Sequence, residues 1–159
     1  VTAPPDSPGS LLVFREAESR FAVPLAAVAE VLHAPAGPVP GEGIAYRGGR
    51  LPIVALEASG GPEREAQVGE RLIVLKRARP LALRVEAVEG LVEMGPRELS
   101  PADGFYVTGL LKKSLKAVGR AGGEPLFVLD PDALGEALAR RAAERNPQAR
   151  DAGPDPPRR

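Results

Sequence analysis

Short apolar runs, each closed by a turn before it grows long enough for a helix, constrain this chain more than any other feature. They recur at roughly eight-to-twelve-residue intervals, the spacing of small β-barrels and sandwiches. Leu11, Leu12, Val13 and Phe14 make one run, polar residues at 16–19 turn it, and Phe21 and Val23 return on one face, as in a β-hairpin. Residues 43–56 hold a second hairpin, with a short apolar run at 44–46, a Gly48-Gly49 step and a longer run over 51–56. Glycine tolerates the positive φ that such a turn requires. Arg47 then stands at the lip of the turn, with a guanidinium to offer either to solvent or to a partner. Runs at 70–76, 81–86, 91–94, 105–111, 114–118 and 125–129 complete a tally of about nine or ten strands. The fold class expected is mainly β, arranged as two small barrels packed together.

Two helices interrupt the strands. Over 24–32, Leu25, Val28, Ala29 and Leu32 follow the i, i+3, i+4, i+7 rule, so a short helix with one buried face is expected. Pro24 suits its first turn, where the missing N–H costs nothing. Glu30 falls off that stripe and is expected to point to solvent, and His33, the single histidine, to close the helix. Asp130 and Pro131 start the second helix as N-cap and N1, followed by an apolar stripe through Leu134, Ala137 and Leu138. In the strand over 81–86, Leu81, Leu83 and Val85 alternate with Ala82, Arg84 and Glu86, which predicts a half-buried strand. Residues 1–9 and 146–159 are rich in proline and polar residues, so disorder is expected there. The stretch 57–69 is expected to be a loop between two lobes, roughly 24–69 and 70–125, within one folded unit over 10–145.

The residues point away from catalysis. The absence of cysteine excludes disulfides, thiolate nucleophiles and cysteine-held metals. There is neither a Gly-x-Gly-x-x-Gly fingerprint nor a Walker-type phosphate loop. Asp130 and Asp132 are explained by helix capping and the helix dipole, without a bound cation. Lys+Arg and Asp+Glu balance at 21 each, which argues against a nucleic-acid binder. No apolar run approaches the ~18 residues of a membrane span, and the first residues lack the basic and apolar regions of a signal peptide, so direct membrane insertion is not expected and a cytoplasmic location is. No cofactor, metal or catalytic residue is expected. The chain reads as a binding module, with a small β-barrel ligand-binding domain as the alternative from a different class.

The residues also resemble a known family. Leu12-Val13-Phe14, then Phe21-Ala22-Val23-Pro24-Leu25 with Val28 and Glu30-Val31, are similar to the opening of the CheW-like domain, the adaptor that couples bacterial chemoreceptors to a histidine autokinase. The likeness continues through Pro38 to Gly41, Arg47-Gly48, Leu51-Pro52-Ile53-Val54, Arg71-Leu72-Ile73-Val74, Val85-Glu86-Ala87-Val88 and the closing run over 126–130, with Leu134. It implies two five-stranded SH3-like barrels and a scaffolding role with no catalysis. It also implies a methyl-accepting chemoreceptor as one partner and a CheA-type histidine kinase as another. On matching positions Val28, Glu30, Arg47 and Gly48 would make the partner-binding site; for Val28, core packing is an equally open reading. An exposed sheet edge would offer a route to self-association. Two departures stand out. Between Pro40 and Arg47 the family carries a longer run, with leucine where this chain has Tyr46, and its aspartate after the Leu-Pro-Val-Val run is Ala55 here. A trimmed first lobe is therefore expected to spare the fold while weakening one contact surface, that with the kinase first.

Overall fold

A computed structural model describes residues 9–16, 18–35, 43–55, 70–101 and 113–145. The expected loop at 57–69, the expected strand at 105–111, residues 1–8 and the segment from 146 onward lie outside the described residues. The first hairpin is β1 (Ser10–Glu16) and β2 (Ser19–Pro24), in the register Phe14 opposite Phe21. A 3₁₀ turn (Leu25–Ala27) leads into β3 (Val28–His33). Three short strands follow, β4 (Ile44–Tyr46), β5 (Gly49–Leu51) and β6 (Ile53–Ala55), and then β7 (Arg71–Leu75) and β8 (Leu81–Val85). After β9 (Ala87–Glu93) come a 3₁₀ turn (Pro96–Glu98), β10 (Ser100–Pro101), β11 (Leu115–Ala121) and β12 (Glu124–Leu129). The helix α1 (Pro131–Arg145) closes the described chain.

These strands form a six-stranded sheet in the order β10-β11-β12-β2-β1-β9, a four-stranded sheet in the order β3-β7-β8-β6, and the separate hairpin β4-β5. The mainly β class is as expected, and the described strands fall into sheets of six, four and two. Among the described strands, β7 and β8 share a sheet with β3 and β6. The larger sheet joins the two ends of the described chain. In it β12 pairs parallel to β2, with Phe127 opposite Phe21.

Period-two alternation allots each strand's side chains to two different cores. Leu12, Phe14, Phe21, Val23 and Leu129 of the larger sheet meet Val28, Val54, Ile73, Leu83 and Val85 of the smaller one in a shared central cluster. The alternate residues Leu11, Val13, Ala22, Leu126 and Val128 fill a second cluster on the far face of the larger sheet. On the smaller sheet, Leu72, Val74 and Ala82 face Leu51 and Ile53, with Ile44 and Tyr46 packed against them. Three of the four phenylalanines, Phe14, Phe21 and Phe127, stand on adjacent strands with ring centroids 5.7 and 5.8 Å apart. Such a ladder contributes about 0.5–1.5 kcal/mol per pair beyond its buried area. The helix α1 starts where Asp130 Oδ1 accepts the N–H groups of Asp132 and Ala133, and it sends Leu134, Ala137 and Leu138 into the central cluster.

Three expectations are corrected. The helix over 24–32 is absent: after three residues of 3₁₀ turn the chain enters β3, which pairs with β7 from Val28–Leu75 to His33–Arg71. A nine-residue isolated helix is marginal, whereas the open edge of β7 satisfies the backbone of a Val-rich segment at once. Leu25 and Ala29, placed on the buried stripe of that helix, are exposed. His33 lies on the strand and caps nothing of the kind. The strand β8 is buried on both faces instead of one, because the β4-β5 side of the smaller sheet is also covered. Arg84, 1% exposed, meets the equally buried Glu70 at 3.6 Å. Glu16, assigned to a polar turn, is fully buried, and its Oε1 accepts the Glu86 N–H at 2.8 Å.

Candidate protein-docking site

The turn between β4 and β5 is two residues long, with Tyr46 opposite Gly49. Arg47 has φ 47° and Gly48 φ 80°, the paired positive values of a type I′ hairpin. Gly48 adopts this conformation freely, and a Cβ there would meet no atom within 4 Å, so its requirement is conformational. Arg47 adopts it against its own preference and is held by contacts. Its Cζ lies 5.3 Å from the centre of the Tyr46 ring, a cation–π distance, and its Nη2 donates to Glu30 Oε2 at 2.8 Å. The Tyr46 hydroxyl donates to the same carboxylate oxygen. At the base of the hairpin, Arg50 Nη2 donates to the Gly43 carbonyl at 3.1 Å.

Glu30 thus gathers two donors from a hairpin that shares no sheet with its own strand. Its position on β3, an edge of the four-stranded sheet, brings it under the hairpin tip. The Tyr46 hydrogen bond, then that of Arg47, holds its carboxyl below the usual carboxylate range. The same bond, reinforced by burial, pushes the Tyr46 hydroxyl above the ordinary phenol value. Arg47 is raised in turn by its bond to Glu30. The Arg47 side chain remains 72% exposed and that of Glu30 30%, so the guanidinium still offers donors outward. This is a pre-oriented charged rim, and it contains no nucleophile–base pair.

Of the four residues expected to bind a partner, Glu30, Arg47 and Gly48 come together at this tip. Val28 does not join them at the surface. It is 8% exposed and packs in the central cluster, which is the core reading of that residue. Glu30, expected to face solvent alone, is instead ion-paired. Tyr46 is the participant that the sequence did not single out as a site residue. A tyrosine flanking a two-residue turn, opposite a strand carrying a glutamate, is a signal visible only once β3 is known to be a strand. Among the described residues no group of three or more His, Asp or Glu could hold a metal ion, and no helix is long and apolar enough to cross a membrane.

The fold has counterparts in known proteins. The crystal structure of the scaffolding protein TtCheW from Thermoanaerobacter tengcongensis superposes with a TM-score of 0.63 at 18% identity, covering 77% of this chain and 88% of that one. No curated protein sequence matches the chain. The family model described as the CheW-like domain matches residues 10–139, a span that runs from the first residue of β1 into α1 and takes in both larger sheets and the β4-β5 hairpin between them. The chain belongs to the CheW-like domain family.

Proposed function

We propose that this protein is a non-catalytic adaptor of a bacterial chemosensory pathway, which docks the helical signalling tip of a methyl-accepting chemoreceptor at the Glu30–Tyr46–Arg47–Gly48 tip. The observation that carries this reading is the convergence of Arg47 and Tyr46 on one oxygen of Glu30 at an exposed turn. An ordered, half-desolvated charge pair beside a strand edge gives a polar rim of fixed geometry, which a helical hairpin can meet with complementary side chains. Family membership supports the scaffold role, and with it a contact to the regulatory domain of a CheA-type histidine kinase.

A second reading, in which the adaptor binds receptor and has shed the kinase, is favoured by one feature. The strands β4 and β5 are only three residues each and, among the described residues, pair solely with one another. The test is a paired titration of the protein with a receptor signalling-tip fragment and with the kinase regulatory domain from the same organism. Binding to both, with the receptor arm lost in Arg47→Glu, supports the coupling adaptor. Binding to the receptor alone supports the second reading, and binding to neither sinks both.

A further inference from the structure

We infer that the cleft between the β7-β8 turn and α1 is a second docking site, one that takes an acidic segment of a partner protein. The cleft has a volume of about 990 Å³, and Arg50, Lys76, Arg77 and Arg79 line it together with Asp132 and Glu136 of the helix. Arg50 is already engaged with the Gly43 carbonyl. The other three cations sit on consecutive exposed positions of a tight turn, interrupted only by Ala78. Among the described residues none of the three forms an ion pair, although two carboxylates line the same cleft. Like charges crowded on one turn repel each other unless a counter-charge is supplied.

The helix is adapted to this arrangement. Gly135 lies inside α1, where glycine is among the poorest helix formers and no positive φ requires it. A Cβ at that position would come within 2.1 Å of Arg77 Nη1 and 3.0 Å of Arg77 Cδ. The glycine therefore leaves a seat across which Arg77 lies, holding the turn's guanidinium over the cleft. The apolar lining includes Pro52 and Pro80 with Ala139 and Ala143 from the helix.

Charge decides the occupant. Among the described residues, four cations against two carboxylates leave the lining net positive, which selects an anionic partner. The cleft is only partly enclosed, and a small ligand needs about 70–90% of its surface enclosed to bind well. A peptide segment needs no such enclosure: its carboxylates can meet Lys76, Arg77 and Arg79 while its apolar residues rest on the prolines and the alanines. This site does not depend on the receptor reading above, since it shares no residue with the Glu30–Arg47 tip.

The experiment uses the full chain and a fluorescein-labelled peptide of repeating Glu-Glu-Leu-Ala, followed by anisotropy and by amide shifts in labelled protein. Saturable binding is expected, with shifts at 76–81 and along α1. The double variant Arg77→Glu/Arg79→Glu should bind about tenfold more weakly, and the loss should shrink as salt rises. Gly135→Ala, which displaces Arg77 without changing any charge, should weaken binding to a smaller extent. Arg97→Glu, in the 3₁₀ turn next to the other sheet, should leave it unchanged. Wild-type affinity in the double variant overturns the proposal. So does inorganic phosphate producing the same amide shifts as the peptide, which would make this a small-anion site. Binding to phosphatidylglycerol vesicles with no response to the peptide also overturns it, in favour of a lipid surface.

Discussion

Alanine at position 43 tests how the β4-β5 hairpin is anchored. Gly43 has φ 84°, and a Cβ there would lie 2.0 Å from the Leu51 carbonyl oxygen, 2.5 Å from its carbon and 2.9 Å from Pro52 Cα. All three are backbone atoms, so no side chain can rotate away. Two costs therefore add: the left-handed conformation of a residue with a Cβ, ~1 kcal/mol, and forced displacement of packed backbone, ~1–3 kcal/mol, for a total near 2–4 kcal/mol. Leu51 is fully buried in the cluster under the hairpin, which leaves little room for that displacement. Gly48→Ala is the matched control. Its φ is 80° but its Cβ would meet nothing, so only the conformational cost of ~1 kcal/mol applies. Urea unfolding of both variants should give midpoints ordered wild type, Gly48→Ala, Gly43→Ala, with unchanged m-values. Equal losses in the two variants would refute the steric argument and leave backbone conformation as the whole effect. If the hairpin instead swings off the sheet to relieve the clash, the Tyr46–Glu30 contact opens, and the Glu30 carboxyl returns toward its ordinary value of 4.5.

Other outcomes follow from the same geometry. The folded state lowers the Glu30 pKa, so this group's contribution is present above 4.5 and is lost as pH falls through the depressed folded value. Tyr46→Phe removes the largest cause of that depression and should move the Glu30 carboxyl titration upward when followed by carbon NMR, while Arg47 keeps part of the effect. On the larger sheet, Glu89 accepts from Arg15 at 2.9 Å and from Arg20 at 2.8 Å, tying β9 to β1 and β2. Glu89→Gln should lower the urea midpoint slightly at low salt and by less at high salt, because exposed pairs are screened; a loss insensitive to salt would point to packing instead. Asp130→Ala removes the acceptor for two N–H groups at the start of α1 and should cost about 1 kcal/mol, measured as a shift in the thermal midpoint.

Much of this protein is legible in its local chemistry. Continuous apolar runs mark β1 and β12, alternation of Phe21 and Val23 marks β2, the glycines at 48 and 49 mark the β4-β5 turn, and Asp130 with Pro131 marks the start of α1. Each of these signals resides in a few consecutive residues, so no distant partner is needed to interpret it. The candidate docking tip is only half legible. Arg47 and Gly48 stand out as a turn, but Tyr46 gains its role from Glu30, which lies sixteen residues earlier on another strand.

Tertiary structure decided the remainder. Residues 28–33 satisfy the helical period on paper, yet they form β3 because β7 offers an unpaired edge whose backbone groups must be bonded. Arg84 reads as a solvent-facing residue until β8 is flanked by β7 and β6 and covered on its second face, where Glu70 receives its charge. The parallel pairs β2-β12 and β6-β8 likewise have no local signature. Propensity and turn chemistry set what a segment can become, worth tenths of a kcal/mol to about 1 kcal/mol per residue. Unsatisfied backbone groups and exposed apolar faces elsewhere in the chain carry larger penalties, and these decided what each segment became.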